Sequence, residues 1–139
     1  LNELDLSFLN LNDIKSLDLY LRNPNSRLKK LILDSSILEF NYVLLNNFPN
    51  LMEINLSKLN RIIFGKSEQL FGRQNRYLEV LILSKLSLDI KLLEKYFNFS
   101  IFTELKILDL SSNFLESIRS DMFKFNKKLD SLYLQENLL

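Results

Sequence analysis

Apolar and polar positions along the chain fall into one short phrase, L-x-x-L-x-L, which occurs six times in series. The copies are Leu1-Leu4-Leu6, Leu28-Leu31-Leu33, Leu51-Ile54-Leu56, Leu78-Leu81-Leu83, Leu105-Leu108-Leu110 and Leu129-Leu132-Leu134, with starts 27, 23, 27, 27 and 24 residues apart. The closing L-x-L alternates with the period of a strand that buries one face. Ile14-Leu17-Leu19 also fits the phrase, but it comes 13 residues after the first start, too soon for a full coil. It is better assigned to a returning helix, because Ile14, Leu17 and Leu21 lie at i, i+3 and i+7 on one helical face, and Pro24 ends that helix. Ile90, Leu93 and Phe97 predict a second returning helix in the same way.

Copies of this kind stack, so that their apolar sides share one continuous core and their strands form a parallel sheet at about 4.8 Å per rung. Six rungs predict a strip roughly 25 Å across. Leu44, Phe48, Leu70, Phe71, Phe102 and Phe123 are the expected fillers beneath the strands. The predicted class is α/β: a right-handed coil with short parallel strands on the concave face and helices or turns on the convex face. Residues 1–139 read as one domain, with about five full repeats starting at 1, 28, 51, 78 and 105 and a partial sixth at 129. Uneven spacing predicts that extra residues near 60–76 and 88–104 bulge on the convex side. The first of these stretches holds both glycines, Gly65 and Gly72, and is the expected irregular loop.

The stretch LKILDLSSNFLESIRSDMF, residues 105–123, interrupts its leucines with Asn113. A tight bend after the strand turns backbone N–H and C=O groups inward, and each left unpaired costs roughly 1–3 kcal/mol. An Asn amide both donates and accepts, so it can bridge its own turn and the next. The equivalent positions are Leu9, Ser36, Leu59, Leu86, Asn113 and Asn137, so this ladder is incomplete. Where it fails, the following residue is Asn10, Asn60 or Ser87, and that neighbour is the expected substitute.

The phrase, its Asn and its length resemble the leucine-rich repeat family, over the whole chain. The fifth copy is the closest. LKILDLSSNFL continues to Ile118 and Phe123, as in the 24-residue variety common in the ectodomains of animal receptors and adhesion proteins, among which Toll-like receptors and slit-type or chaoptin-type proteins look similar. The resemblance implies a leucine-rich repeat solenoid that is no enzyme and binds a protein partner on its concave face. It also implies a place in an extracellular or cell-surface protein. An intracellular scaffold or adaptor, such as a ubiquitin-ligase substrate receptor or a phosphatase regulator, is the alternative. Both ends fall on a strand phrase with no polar cap, so the segment is expected to belong to a longer chain and to be marginally stable in isolation.

Positions between the leucines face outward. The central column reads Asp5, Ile32, Asn55, Ile82, Asp109, Tyr133, and the column two residues earlier reads Glu3, Lys30, Glu53, Val80, Ile107, Ser131. Val80, Ile82 and Ile107 fall on adjacent rungs, with Lys85, Asp109 and Tyr133 close by. An apolar patch with a charged rim is the composition of a protein-binding site. These six residues are the candidate contact surface.

Composition narrows the chemistry. Leucine occupies 34 positions and asparagine 16, whereas cysteine and histidine do not occur. Thiolate or imidazole metal sites, Ser-His and Cys-His pairs and disulfides are therefore excluded within these residues. No carboxylates are paired by spacing for acid–base work, so no catalytic, cofactor or metal residue is assigned. Net charge is +1 with both signs interspersed, which marks no nucleic-acid footprint. No apolar run reaches the ~20 residues of a membrane span, and no direct membrane contact is expected. Gly65-Lys66-Ser67 lacks the earlier glycine of a phosphate-binding loop, having Asn60 there. Two glycosylation sequons occur, Asn55-Leu56-Ser57 and Asn98-Phe99-Ser100.

Overall fold

A computed structural model describes residues 2–8, 27–35, 48–59 and 71–139. The expected first helix with Pro24, and the positions Leu9, Asn10, Ser36, Leu44, Asn60, Gly65 and Leu70, lie outside the described residues.

Six three-residue strands form one parallel sheet in chain order: β1 (Glu3–Asp5), β2 (Lys30–Ile32), β3 (Glu53–Asn55), β4 (Val80–Ile82), β5 (Ile107–Asp109) and β6 (Ser131–Tyr133). The register aligns Leu4, Leu31, Ile54, Leu81, Leu108 and Leu132, the middle leucine position of every copy. Burial explains why this register wins. A slip of one residue would turn the whole apolar set outward, and Leu31, Ile54, Leu81 and Leu108 are fully buried. On β6, the last strand described, the equivalent Leu132 is 37% exposed.

Rung-to-rung bonding continues past each strand. The N–H of Leu33, Leu56, Leu83 and Leu110 donates to the carbonyl of Asn55, Ile82, Asp109 and Tyr133, at 2.8–2.9 Å. Two residues later, Ser35, Lys58, Lys85 and Ser112 donate to Ser57, Ser84, Ser111 and Gln135 at 2.9–3.2 Å. These donors, with Phe8 and Glu136, hold φ between 54° and 61° in all six rungs, and none is glycine. Left-handed backbone in a side-chain-bearing residue is strained, and it persists where the surroundings over-determine it. In the first five rungs the inter-rung bond of the same residue supplies that constraint.

The asparagine ladder forms, and it points backward. Asn113, almost fully buried, accepts at Oδ1 from the N–H of Leu86 (3.0 Å) and Leu88 (3.1 Å) in the preceding rung. Its Nδ2 donates to the carbonyls of Leu83 (2.9 Å) and Leu110 (3.0 Å). Asn137 does the same one rung on, accepting from Leu115 and donating to Leu110 and Leu134. Each ladder amide thus completes its own turn and the one before it. Ser87 is not the expected substitute. It is exposed and takes a second left-handed φ of 57°, while its rung is completed by Asn113 from the next. Leu59 instead joins the core, and Leu86 packs partly against it.

Behind the sheet, residues 88–104 are ordered. Helix α1 (Ile90–Tyr96) starts at Asp89, whose carboxylate accepts the Leu92 N–H at 2.8 Å, an N-cap. Leu93 and Phe97 are buried and Ile90 half-buried, the face that the i, i+3, i+7 spacing predicts. A 3-10 turn, Phe99–Ile101, follows. Phe71, Phe97, Phe99, Phe102 and Phe123 then pack ring to ring, with centroids 5.2–6.3 Å apart. Of the expected irregular loop only 71–76 is described, and there Gly72 opens a 3-10 turn, Arg73–Asn75, with a φ of −112° that is open to any residue.

Candidate functional site

The open face of the sheet carries two straight rows. In the first, Glu3, Lys30, Glu53, Val80, Ile107 and Ser131 stand side by side. Its first half is charged and internally paired, since the Lys30 ammonium lies 3.7 Å from Glu3 and 3.6 Å from Glu53. Its second half is apolar at Val80 and Ile107, which pair directly, and ends on Ser131. The row therefore changes character between β3 and β4.

The second row alternates. Asp5, Asn55 and Asp109 on the odd rungs each turn back on their own chain, accepting at Oδ1 from the N–H of Ser7, Ser57 and Ser111, all at 2.9 Å. The Ser7 and Ser57 hydroxyls donate to the same oxygens at 2.6 and 2.5 Å. These are Asx turns, in which a short polar side chain caps the backbone bend. The Ser7 hydroxyl and N–H hold the Asp5 carboxyl below its ordinary value. On the even rungs Ile32, Ile82 and Tyr133 take the same place and project without such a bond. Apolar groups thus recur every second rung, about 9.6 Å apart.

The six candidate residues fall into three situations. Val80, Ile82 and Ile107 are half-buried neighbours on β4 and β5. Asp109 sits between Ile82 and Tyr133 in one line, with one carboxylate oxygen committed to Ser111, and Tyr133 is 45% exposed. Lys85 lies past the strand, on the left-handed turn, exposed and in line with Lys58 and Ser112. The sheet joins the first five residues, while Lys85 flanks them. Ile32 completes the apolar series and was not among the candidates. Its signal was present in sequence: Asp-Leu-Ser, Asn-Leu-Ser and Asp-Leu-Ser mark rungs one, three and five, and an apolar residue replaces the Asx in the rungs between.

The same alternation runs behind the sheet, at the position three residues before each first leucine. Phe48 and Phe102 fill the core there, whereas Asn75 and Asn126 are buried amides in the intervening rungs. Asn75 Oδ1 accepts from the Gly72 N–H at 3.1 Å, and Asn126 Nδ2 donates to the carbonyls of Phe99 and Phe102, both at 2.8 Å. Both faces of the solenoid therefore repeat every two rungs.

Other chemistry is sparse. Among the described residues no cluster of acidic side chains could hold a metal ion, and no helix is long and apolar enough to cross a membrane. A hollow of about 340 Å³ lies on the returning side, lined by Glu94, Asn98, Ser100, Arg119, Asp121 and Phe125 among others. In it Arg119 binds Asp121 at 3.0 Å and Glu94 at 3.3 Å. The hydrogen bond and charge of Asp121 raise the guanidinium above its ordinary value, and Arg119 lowers the Asp121 carboxyl in return.

Residues 97–139 match the family model described as Leucine rich repeat. Comparison with curated proteins gives no match. Among solved structures, the crystal structure of Listeria monocytogenes InlP is similar, with a TM-score of 0.60 and 17% identity over 97% of this chain and 42% of that one. This chain thus spans less than half the length of that protein, and at such identity the likeness speaks for the fold. The matched stretch holds rungs five and six, and the four rungs before it carry the same phrase in the same register. The chain folds as a solenoid of stacked leucine-rich repeats, and its last two rungs match the model of that family.

Proposed function

We propose that this segment is a non-enzymatic recognition module that binds a protein partner on the concave, open face of its sheet. Leucine-rich repeats generally serve as protein-interaction modules, and extended sheet faces are the surfaces such solenoids use. The observation that carries the reading is the change of character between β3 and β4. Val80, Ile82 and Ile107 make a contiguous apolar patch, continued toward Tyr133, on a face whose other half is occupied by the Glu3–Lys30–Glu53 chain. Apolar area with a charged margin is the anatomy of a partner-binding surface. We read the parent protein as extracellular or cell-surface. The fifth rung, with Ile118 and Phe123 behind it, supports that reading, and surface labelling of intact cells tests it separately.

Site-specific photo-crosslinking in the full-length protein tests the face. A photoreactive residue at Ile82 or Ile107 should capture another polypeptide, and one at Arg73, on the returning side, should not. Pairing Ile82→Glu with Ile107→Glu should abolish that capture from a third position, Tyr133, while leaving the melting transition in place. Equal crosslinking from Ile82 and Arg73 would sink the proposal.

A further inference from the structure

The two sequons differ in a way their spelling hides. Asn55-Leu56-Ser57 is one member of the Asx-Leu-Ser series on the odd rungs. Its Ser57 is buried, and its asparagine is the last residue of β3, paired between β2 and β4. It is accounted for as a turn former. Asn98-Phe99-Ser100 belongs to no rung. Asn98 and Ser100 are both exposed, at the start of the 3-10 turn that follows α1. The Ser100 hydroxyl donates to Asn98 Oδ1 at 2.6 Å and the Ser100 N–H to the same oxygen at 3.1 Å. Both bonds go to the amide oxygen, and none is made by the Nδ2 that would react. The sequon's hydroxyl is thus already against its amide, at a site that bulk solvent reaches.

The surroundings add a second observation. Asn98 and Phe125 line the same hollow of about 340 Å³. Phe125 is 52% exposed, and the Lys124 ammonium lies 5.0 Å from its ring centroid. A half-exposed ring that shares its hollow with Arg119, Asp121 and Glu94 would gain from an amphipathic cover on the area that Lys124 leaves uncovered. A sugar supplies one, with polarised C–H groups for the electron-rich ring face and hydroxyls for the charged groups beside it.

We infer that Asn98 is an N-glycosylation site whose first N-acetylhexosamine covers Phe125. In the reaction Asn98 Nδ2 attacks the anomeric carbon of a lipid-linked oligosaccharide pyrophosphate. A C–N bond forms, the bond from that carbon to the pyrophosphate oxygen breaks, the lipid pyrophosphate leaves, and the amide gives up a proton to solvent. The glycan would stand on the returning side and leave the open sheet face clear. The inference rests on the secretory placement proposed above, so the test supplies that placement.

The full-length protein, directed through the secretory route of a eukaryotic cell, is analysed by glycopeptide mass spectrometry. The peptide holding Asn98 should be mostly glycosylated and that holding Asn55 mostly unmodified, and Asn98→Gln should remove the glycan. An unmodified Asn98 peptide, or occupancy at Asn55 equal to that at Asn98, overturns the assignment whatever compartment the native protein occupies. Enzymatic removal of the glycan should lower the melting temperature of the wild type and leave that of Phe125→Ala unchanged. Equal effects on the two overturn the contact with Phe125. Crosslinking from Ile82 in Asn98→Gln should persist, which keeps failure here distinct from failure of the open-face reading.

Discussion

Asn113 reaches back one full rung to Leu86, taking the Leu86 N–H on its Oδ1 at 3.0 Å across a separation of 27 residues in sequence. The same oxygen takes the Leu88 N–H, and the amide nitrogen serves carbonyls on both rungs. One side chain therefore joins two turns in a place closed to water.

Asn113→Leu should cost about 3 kcal/mol or more, because several buried backbone groups lose partners worth roughly 1–3 kcal/mol each. Denaturant unfolding measures the loss. Amide hydrogen exchange should show it concentrated at Leu86 and Leu88, in the rung before the substitution. A loss confined to residues after 113 would contradict the backward direction of the ladder.

Lys85 holds a φ of 56°. Replacing it by Gly or by Val removes the same charge, so the difference between the two variants isolates the backbone. Valine resists left-handed conformations most strongly, and such strain is worth about 1–3 kcal/mol. Lys85→Val should be the less stable of the pair by that margin in denaturant unfolding. Equal stabilities would mean that the turn relaxes to another conformation.

Acid should loosen the contact between Arg119 and Asp121. Asp121 titrates below its ordinary value of 3.8 because Arg119 bonds it, and Asp5 does so because Ser7 bonds it. A lowered folded-state value means that the contribution to stability is full above the unfolded-state value and is lost as pH falls through the folded-state one. In NMR titrations Arg119→Gln should raise the midpoint of Asp121 and leave that of Asp5 in place. Ser7→Ala should do the reverse. Both midpoints moving together in either variant would point to a general field effect instead.

How far the sequence carries the fold depends on how often a signal repeats in one register. The middle leucines give all six strands because a one-residue slip would expose every one of them. The returning helix follows from Ile90, Leu93 and Phe97 for the same reason. The odd-and-even rungs were harder to see. Asp5, Asn55 and Asp109 look like ordinary surface polar residues until the bond to the serine two residues on is known, and Asn75 and Asn126 vanish in a column shared with Phe48 and Phe102. Ser87 misled because a polar residue next to a ladder position can simply face water. On the open face the sequence put Val80, Ile82 and Ile107 together, yet it could not show that Lys85 stands on a left-handed turn beside them.

Asn126 offers the sharpest test of the returning side. Its Nδ2 donates to the carbonyls of Phe99 and Phe102 at 2.8 Å each, while its Oδ1 is buried without a hydrogen-bond partner. Asn126→Ala takes one donor from each of two carbonyls, which keep only the N–H of Phe102 and of Leu105, at a cost of about 1–3 kcal/mol. Asn126→Asp is worse at neutral pH, because it sets a buried carboxylate against those same carbonyls. Burial and the facing oxygens raise the folded-state pKa of that Asp above its unfolded value. Stability is then present below the unfolded value and is lost as pH rises through the folded one, since the folded protein holds the proton that the unfolded chain releases. Denaturant unfolding should therefore rank Asn126→Asp below Asn126→Ala at neutral pH. The gap should close as acid protonates the carboxyl and restores one donor to the Phe99 or Phe102 carbonyl. A gap that stays constant with pH would mean that the new side chain swings out to solvent, and that the bonds to Phe99 and Phe102 do not hold this position in place.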